Sequence, residues 1–404
     1  MTAPTSKSRE PIAPARDRTA KPIDIIRSVG AATVLASLPA PIHFGDWVIR
    51  HREFALVRVE GESGNVGYSF SLTRDGPVGA IIRRSVAPRY IGRPVDEREA
   101  LFEAALSSNV ATLSTGVGFR ALSLVDLAAW DLAAKSAGVS IARFLGGEVS
   151  SMPATAIIGY PPTIDGRAVT AQVEDLYRRG WRRFKLPISA DHDLARERVR
   201  AAAAVADDIV LSMDAAWLFR DVSAAATFVR SLGVKLGWFE DVFRPGDAGI
   251  VADLRREIDT PIAMGDDQGG AYYPDALLDR QAVDIVRTDL TCMGGLTRLP
   301  RLLRTIDAAH AGFAPHMFAH IHAPVLSALG HRDVPIEWGV QGTGVDPYAD
   351  SLPQPQIRDG RMEPLPEGPG FGTLVNPAWL AEQTVDDPDG VVRAVLTASP
   401  GVGA

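Results

Sequence analysis

Seven side chains suited to acid–base or metal chemistry close short apolar runs in the middle of this chain. They are Lys185, Asp214, Glu240, Asp266, Asp289, His316 and Glu337. The intervals between them are 29, 26, 26, 23, 27 and 21 residues, each about one strand–helix unit. The runs read as strands, for example Ile209-Val-Leu-Ser-Met-Asp214, Trp238-Phe-Glu240 and Ile285-Val-Arg-Thr-Asp289. In a parallel barrel the C-terminal strand ends converge on one mouth, where the active sites of that architecture lie. The spacing therefore predicts that these seven residues meet.

Asp214, Glu240 and Asp266 end three successive predicted strands. Three hard oxygen donors, with no cysteine or histidine among them, suit Mg²⁺, which keeps water or substrate oxygens in its remaining positions. Asp267 follows directly and offers a second carboxylate at the third place. Any one strand-end acid can simply cap the next helix or pair with a lysine. Three in register, followed by an aspartate and a histidine, are poorly explained that way. Asp289 and His316 would stand at neighbouring strand ends, where the carboxylate can fix one imidazole tautomer and leave the other nitrogen to exchange a proton. Lys185 is either a base, if its pKa is depressed, or a fixed positive charge. Glu337 is either a donor to a developing oxyanion, if its neighbours keep it protonated, or an ordinary rim acid. His310, His320, His322 and His331 receive no role. His320-Ile-His322 resembles the His-x-His of metal hydrolases, but it follows a late strand and the acidic residues already account for a metal.

The elements that must position these residues follow from the rest of the chain. At 404 residues it exceeds the usual size of one hydrophobic core, so two domains are expected. A formal charge of −7, with no basic stripe, argues against nucleic acid or an anionic membrane as partner. No apolar stretch approaches ~18 residues, so no membrane span is expected. The single cysteine, Cys292, excludes an internal disulfide framework and fits a reducing cytoplasm. Residues 1–22 read as a disordered tail, lacking the apolar core of a signal peptide. From 23 to 150 the pattern is α+β. Phe54–Glu60 alternates like a half-buried strand, Gly61–Gly64 reads as a turn, and Val66–Phe70 reads as the return strand. Ser123–Ala137 has helical spacing, stopped by Gly138. From 151 to 344 strands and helices alternate, as in a closed parallel α/β barrel. The Pro- and Gly-rich remainder, about 345–404, is expected to pack back on the first domain.

At these residues the chain resembles the enolase superfamily, in its mandelate racemase-like subgroup. The likeness runs from about residue 23 to 380. It is carried by Ala121-Leu-Ser-Leu-Val-Asp-Leu-Ala-Ala-Trp-Asp-Leu-Ala-Ala-Lys-Ser-Ala-Gly138, Phe144-Leu-Gly-Gly147, Met213-Asp-Ala, Trp238-Phe-Glu-Asp and Gly265-Asp. Asp289 with Gly294-Gly-Leu-Thr297, Pro315-His-Met-Phe318 and Pro369-Gly-Phe-Gly372 complete it. The resemblance implies an α/β fold, a modified (β/α)₇β TIM-type barrel under an α+β cap made from the N-terminal region and the C-terminal segment. It implies Mg²⁺ on Asp214, Glu240 and Asp266, a His316–Asp289 general base/acid dyad, Glu337 as oxyanion partner, and a homo-oligomer, dimer or octamer. The shared step is loss of a proton next to a carboxylate, chemistry for which this superfamily is itself a standard example.

Three departures shape the expected activity. Where the family often has Lys-x-Lys, this chain has Lys185-Leu-Pro187, and proline cannot exchange a proton. Ala216 stands where relatives often carry a polar residue, and Asp266 where the subgroup usually has glutamate. With one face clearly equipped with a base, dehydration of an acid sugar or similar hydroxy-carboxylate is the favoured reading. A racemase, epimerase or cycloisomerase with Lys185 as second base is the runner-up. A non-catalytic descendant that only binds is the third. Substrate contacts are expected from Tyr160, Trp217 and the segments Ala40–Trp47 and Ser69–Pro77.

Overall fold

The computed structural model describes residues 22–398 other than 45, 266–268 and 344. Asp266, Asp267 and all but the last residue of the expected tail lie outside the described residues.

Strand β1 (Ile26–Phe44) runs antiparallel to β2 (Trp47–Gly61), which pairs with β3 (Val66–Leu72). Thr384–Asp386 adds to the free edge of β1, pairing Thr33 with Asp386, so part of the C-terminal segment does return to the first sheet. The helix Gly116–Ser136 lies against this sheet and is buried without interruption from Gly118 to Ala134. A helix covered on all sides carries no polar stripe, and its only strong periodicity lies in the C-terminal half. That is why the spacing predicted its start at Ser123 and the structure begins it seven residues earlier, at Gly116. The helix reaches the sheet so closely because Gly67 has no side chain: a Cβ there would sit 2.0 Å from the Ala128 carbonyl oxygen.

The second unit is the expected barrel. Its strands are β4 (Met152–Ile157), β5 (Arg183–Pro187), β6 (Val210–Asp214) and β7 (Phe239–Glu240). They continue as β8 (Ile262–Met264), β9 (Ile285–Thr288), β10 (Gly312–Pro315) and β11 (Ile336–Gly339). All neighbours from β4 to β10 pair in parallel, and β11 returns to pair with β4. Among the described residues seven helices alternate with these eight strands, which is the (β/α)₇β pattern. The register places Pro187 opposite Asp214 and Asp214 opposite Glu240, at one level of the mouth. A short hairpin, Ile357–Arg358 with Arg361–Met362, joins the start of β4 antiparallel. The C-terminal segment therefore divides between the barrel and the cap sheet.

Helix capping falls to aspartates other than the strand-end acids. Asp165, Asp191, Asp221 and Asp247 each accept backbone N–H groups at the start of a barrel helix, a contact worth about 1 kcal/mol each. Asp214 and Glu240 are left for other work. No helix among the described residues is long and apolar enough to cross a membrane.

Candidate active site

A cleft of about 600 Å³ lies between the cap and the barrel mouth. The barrel contributes Tyr160, Lys185, Asp214, Trp217, Asp241 and His316 to its wall. From the cap come Phe44 and Trp47, at the β1–β2 turn, and Arg52, Leu72 and Arg74. Trp47 stacks on Trp217 with ring centroids 5.9 Å apart, and Phe44 meets Tyr160 edge-on at 6.3 Å. Cap and barrel thus close on each other through aromatic contacts at the rim of the cleft. Burial, followed by the Asp214 carboxylate, pushes the Tyr160 hydroxyl up, so it remains protonated and able to donate. The loop carrying Tyr160 is fixed from behind by buried Arg198, which donates to the carbonyls of Gly159, Pro162 and Pro187.

Beneath the cleft is a four-residue charge cluster. The Lys185 Nζ lies 2.8 Å from Glu240 Oε1 and 2.7 Å from Glu337 Oε1. The Arg287 Nη2 lies 3.1 Å from the same Glu240 oxygen and 2.9 Å from the same Glu337 oxygen. Trp238 Nε1 donates to Glu240 Oε2 at 2.7 Å. All four charged side chains are buried, so their two positive and two negative charges must balance one another. Burial by itself would lower the Lys185 pKa, but the Glu240 and Glu337 carboxylates raise it well above the ordinary lysine value. Of its two sequence-based roles, these surroundings favour the fixed positive charge over the base. Burial alone would raise Glu337, yet Arg287 and Lys185 hold it well below the usual carboxylate range. This direction favours a charged Glu337 over a protonated donor, and its Oε2 accepts the Met317 N–H at 3.2 Å.

His316 lines the cleft and is almost buried. Its Nδ1 faces Asp289 Oδ2 at 4.0 Å, longer than the hydrogen bond expected from their neighbouring strand ends. Asp289 is fully buried and its Oδ1 accepts the Thr291 N–H at 2.7 Å. The turn after His316 is unusual, since Met317 and Phe318 both have positive φ, 50° and 44°.

The donors expected for a metal are partly in view. Asp214 and Glu240 stand side by side on paired strands, and Asp266 lies outside the described residues. Glu240 Oε1 is met by both Lys185 and Arg287, while Oε2 accepts the Trp238 indole N–H. Asp214 lines the cleft, with Oδ1 accepting the Ala216 N–H at 2.9 Å. Hard oxygen donors at the floor of a carboxylate-lined cleft fit Mg²⁺ in kind. Among the described residues no group of three or more such ligands is assembled.

Sequence reasoning missed Arg287, Trp238 and His322. Arg287 and Trp238 each lie two residues before a strand-end acid, and strand alternation points residues i and i+2 to the same side. That period could have found both. His322 carried no such signal.

Two family descriptions match the chain. "Mandelate racemase / muconate lactonizing enzyme, N-terminal domain" covers residues 28–146, and "Enolase C-terminal domain-like" covers 168–379. Among curated relatives, the D-galactarolactone cycloisomerase of Agrobacterium fabrum is 24% identical over 369 residues, covering 87% of this chain and 96% of that protein. The L-rhamnonate dehydratase of Saccharopolyspora erythraea is 28% identical over 342 residues, covering 80% and 83%. Among solved structures, L-talarate dehydratase from Polaromonas sp. JS666, complexed with Mg and L-glucarate, superposes with a TM-score of 0.77 at 25% identity. It covers 90% of this chain and 99% of its own. Cap and barrel coincide with the two family matches, over residues 28–146 and 168–379, and the chain belongs to the mandelate racemase/muconate lactonizing enzyme family of the enolase superfamily.

Proposed function

We propose that this chain is a Mg²⁺-dependent lyase that removes the proton next to a carboxylate and dehydrates an acid sugar or related hydroxy-carboxylate. The observation that carries the reading is the asymmetry of the cleft. Lys185 is held protonated between Glu240 and Glu337, while His316 lines the cleft beside Asp289. One face of the substrate then has a proton acceptor and the other has a fixed cation.

In this reading Asp214, Glu240 and Asp266 hold the ion. When bound, Mg²⁺ would offset the negative charge that develops on the substrate carboxylate. Lys185 adds a permanent positive charge nearby. His316 takes the α-proton and then returns a proton to the departing β-hydroxyl, so that water leaves and the resulting enol becomes a 2-keto acid. Asp289 orients the imidazole, the 4.0 Å gap shortening when substrate fills the cleft. Glu337, as an anion, holds Lys185 and the turn after His316 in place. Arg52 and Arg74 bring positive charge to the cap side of the cleft, suited to a small-molecule carboxylate. The dehydratase names among the relatives, and the Mg and L-glucarate of the talarate dehydratase, support this reading. The proposal includes a reducing cytoplasm, consistent with the lone cysteine, and a homo-oligomeric assembly as in the family.

A second reading, cycloisomerisation of a sugar lactone, is favoured by the Agrobacterium relative. It too needs only one proton-exchanging face. A panel of acid sugars and their lactones incubated with Mg²⁺ separates the two: 2-keto acids formed with loss of water support the dehydratase. Isomeric products of unchanged mass support the alternative, and no product from any member of the panel would refute both.

A further inference from the structure

His322 lies four residues into the helix Ala319–Ala328 counting from its first, and is completely buried. Its Nε2 is 3.1 Å from the Leu290 backbone nitrogen, and its Nδ1 is 2.8 Å from the Met317 carbonyl oxygen. A backbone N–H can only donate, so Nε2 carries the lone pair and Nδ1 the proton. The ring is thereby a neutral imidazole with both nitrogens occupied, and burial lowers its pKa in the same direction. Leu290 directly follows Asp289, and Met317 directly follows His316. One rigid ring thus spans the two strand-end loops that carry the dyad.

The span matters because of the turn it holds. Met317 and Phe318 occupy left-handed backbone conformations at φ 50° and 44°, which residues with a Cβ rarely adopt. Such a turn persists only where its surroundings over-determine it. Met317 is gripped on both sides, its N–H by Glu337 and its carbonyl by His322. His316 itself donates its N–H to the Thr288 carbonyl at 2.7 Å, which fixes its backbone to β9 but not the direction of the chain beyond it. His322 supplies that direction, and it does so from the Asp289 side.

We propose that His322 is a positioning residue, tying the Asp289 loop to the His316 turn and so setting the separation across which the two side chains act. This rests on the dyad assigned under the proposed function. His322→Leu removes both ties. His322→Asn places an amide N–H near the Nδ1 position and can keep the bond to Met317, while His322→Gln reaches the Nε2 position and can keep the bond from Leu290.

The test measures kcat, KM and thermal midpoint for the three variants with the best substrate of the acid-sugar panel, together with their crystal structures. Displacements near 1 Å cost roughly 10²-fold in rate, so His322→Leu should lose about that in kcat with KM little changed. His322→Asn should recover the larger share, because the tie to the strained turn is the one it retains. A lowered thermal midpoint with wild-type kcat in His322→Leu, or wild-type kcat in both amide variants should the leucine variant not fold, would overturn the proposal. If the wild type turns over no member of the panel, the proposed function fails. The positioning claim is then decided by the variant structures. A relaxed Met317–Phe318 turn with a widened His316–Asp289 gap upholds it, and an unmoved turn overturns it.

Discussion

Replacing Arg287 with methionine would keep an apolar stem and delete a guanidinium that is wholly enclosed. In the wild type Lys185 and Arg287 balance Glu240 and Glu337, and the buried cluster is neutral. Without Arg287 the cluster carries a net negative charge in a place water does not reach. The carbonyls of Ala314 and Pro315, which accept from Arg287 Nη1 at 3.1 and 2.9 Å, lose that donor as well. Removing one partner of a buried ion pair costs about 3–5 kcal/mol, and the two carbonyls lose bonds from a charged donor, worth about 1.5–3 kcal/mol each. Proton uptake by one of the carboxylates offsets part of this, so the net loss should be about 3–5 kcal/mol near neutral pH. It should shrink as the pH falls, because added protons relieve the excess negative charge. Equilibrium urea unfolding reads this as a lower midpoint at unchanged slope. Adding Glu337→Gln to Arg287→Met restores neutrality, so the double variant should be destabilised by less than the sum of the two single changes. A loss under about 1 kcal/mol for Arg287→Met, or strict additivity in the double variant, would refute the view of these four side chains as one buried charge network.

Two further outcomes follow from the structure. Asp126 is buried between the cap helix and the barrel helix Gly295–Ala308, where it accepts the Thr297 N–H and hydroxyl at 3.0 and 2.6 Å. Burial, partly offset by those bonds, raises its pKa to about 7 from 3.8. The folded state therefore holds a proton that the unfolded state has lost, and stability from this group should fall as pH rises from about 4 to about 7, levelling off above. Unfolding curves across that range should show the slope in the wild type and lose it in Asp126→Asn; an unchanged slope in the variant contradicts the assignment. As for the metal, titrating MgCl₂ into the EDTA-treated protein should raise the thermal midpoint in proportion to the logarithm of its concentration above Kd. Asp214→Asn should abolish most of that rise, whereas an equal rise in the variant would remove Asp214 from the ligand set.

Much of this was legible in the sequence because a parallel barrel turns a one-dimensional interval into a meeting point. Asp214 and Glu240 end β6 and β7, His316 directly follows β10, and Lys185 and Glu337 lie within the short strands β5 and β11, so all five come near the same barrel mouth. The protonation of Glu337 was not legible. It depends on Arg287, whose significance lies in the two-residue alternation of β9 and in the inward turn of its guanidinium. Lys185 could be read either as a base or as a charge, since sequence does not say how many carboxylates reach one ammonium. His322 was passed over because its hydrogen-bond partners are backbone groups, Leu290 N–H and Met317 C=O, which leave no trace in residue type. The start of the helix at Gly116 was hidden because total burial erases the polar stripe that marks a helix boundary.

The most direct test of the account is exchange of the substrate α-proton in D₂O. The measurement follows, by proton NMR with Mg²⁺ present, both configurations at the α-carbon of the acid sugar that the enzyme accepts. With His316 as the one proton-exchanging group and Lys185 locked between Glu240 and Glu337, the wild type should exchange one configuration and leave the other untouched. His316→Asn should exchange neither while retaining Mg²⁺ binding. Exchange of both configurations at comparable rates, or persistent exchange in His316→Asn, would contradict the single-base site.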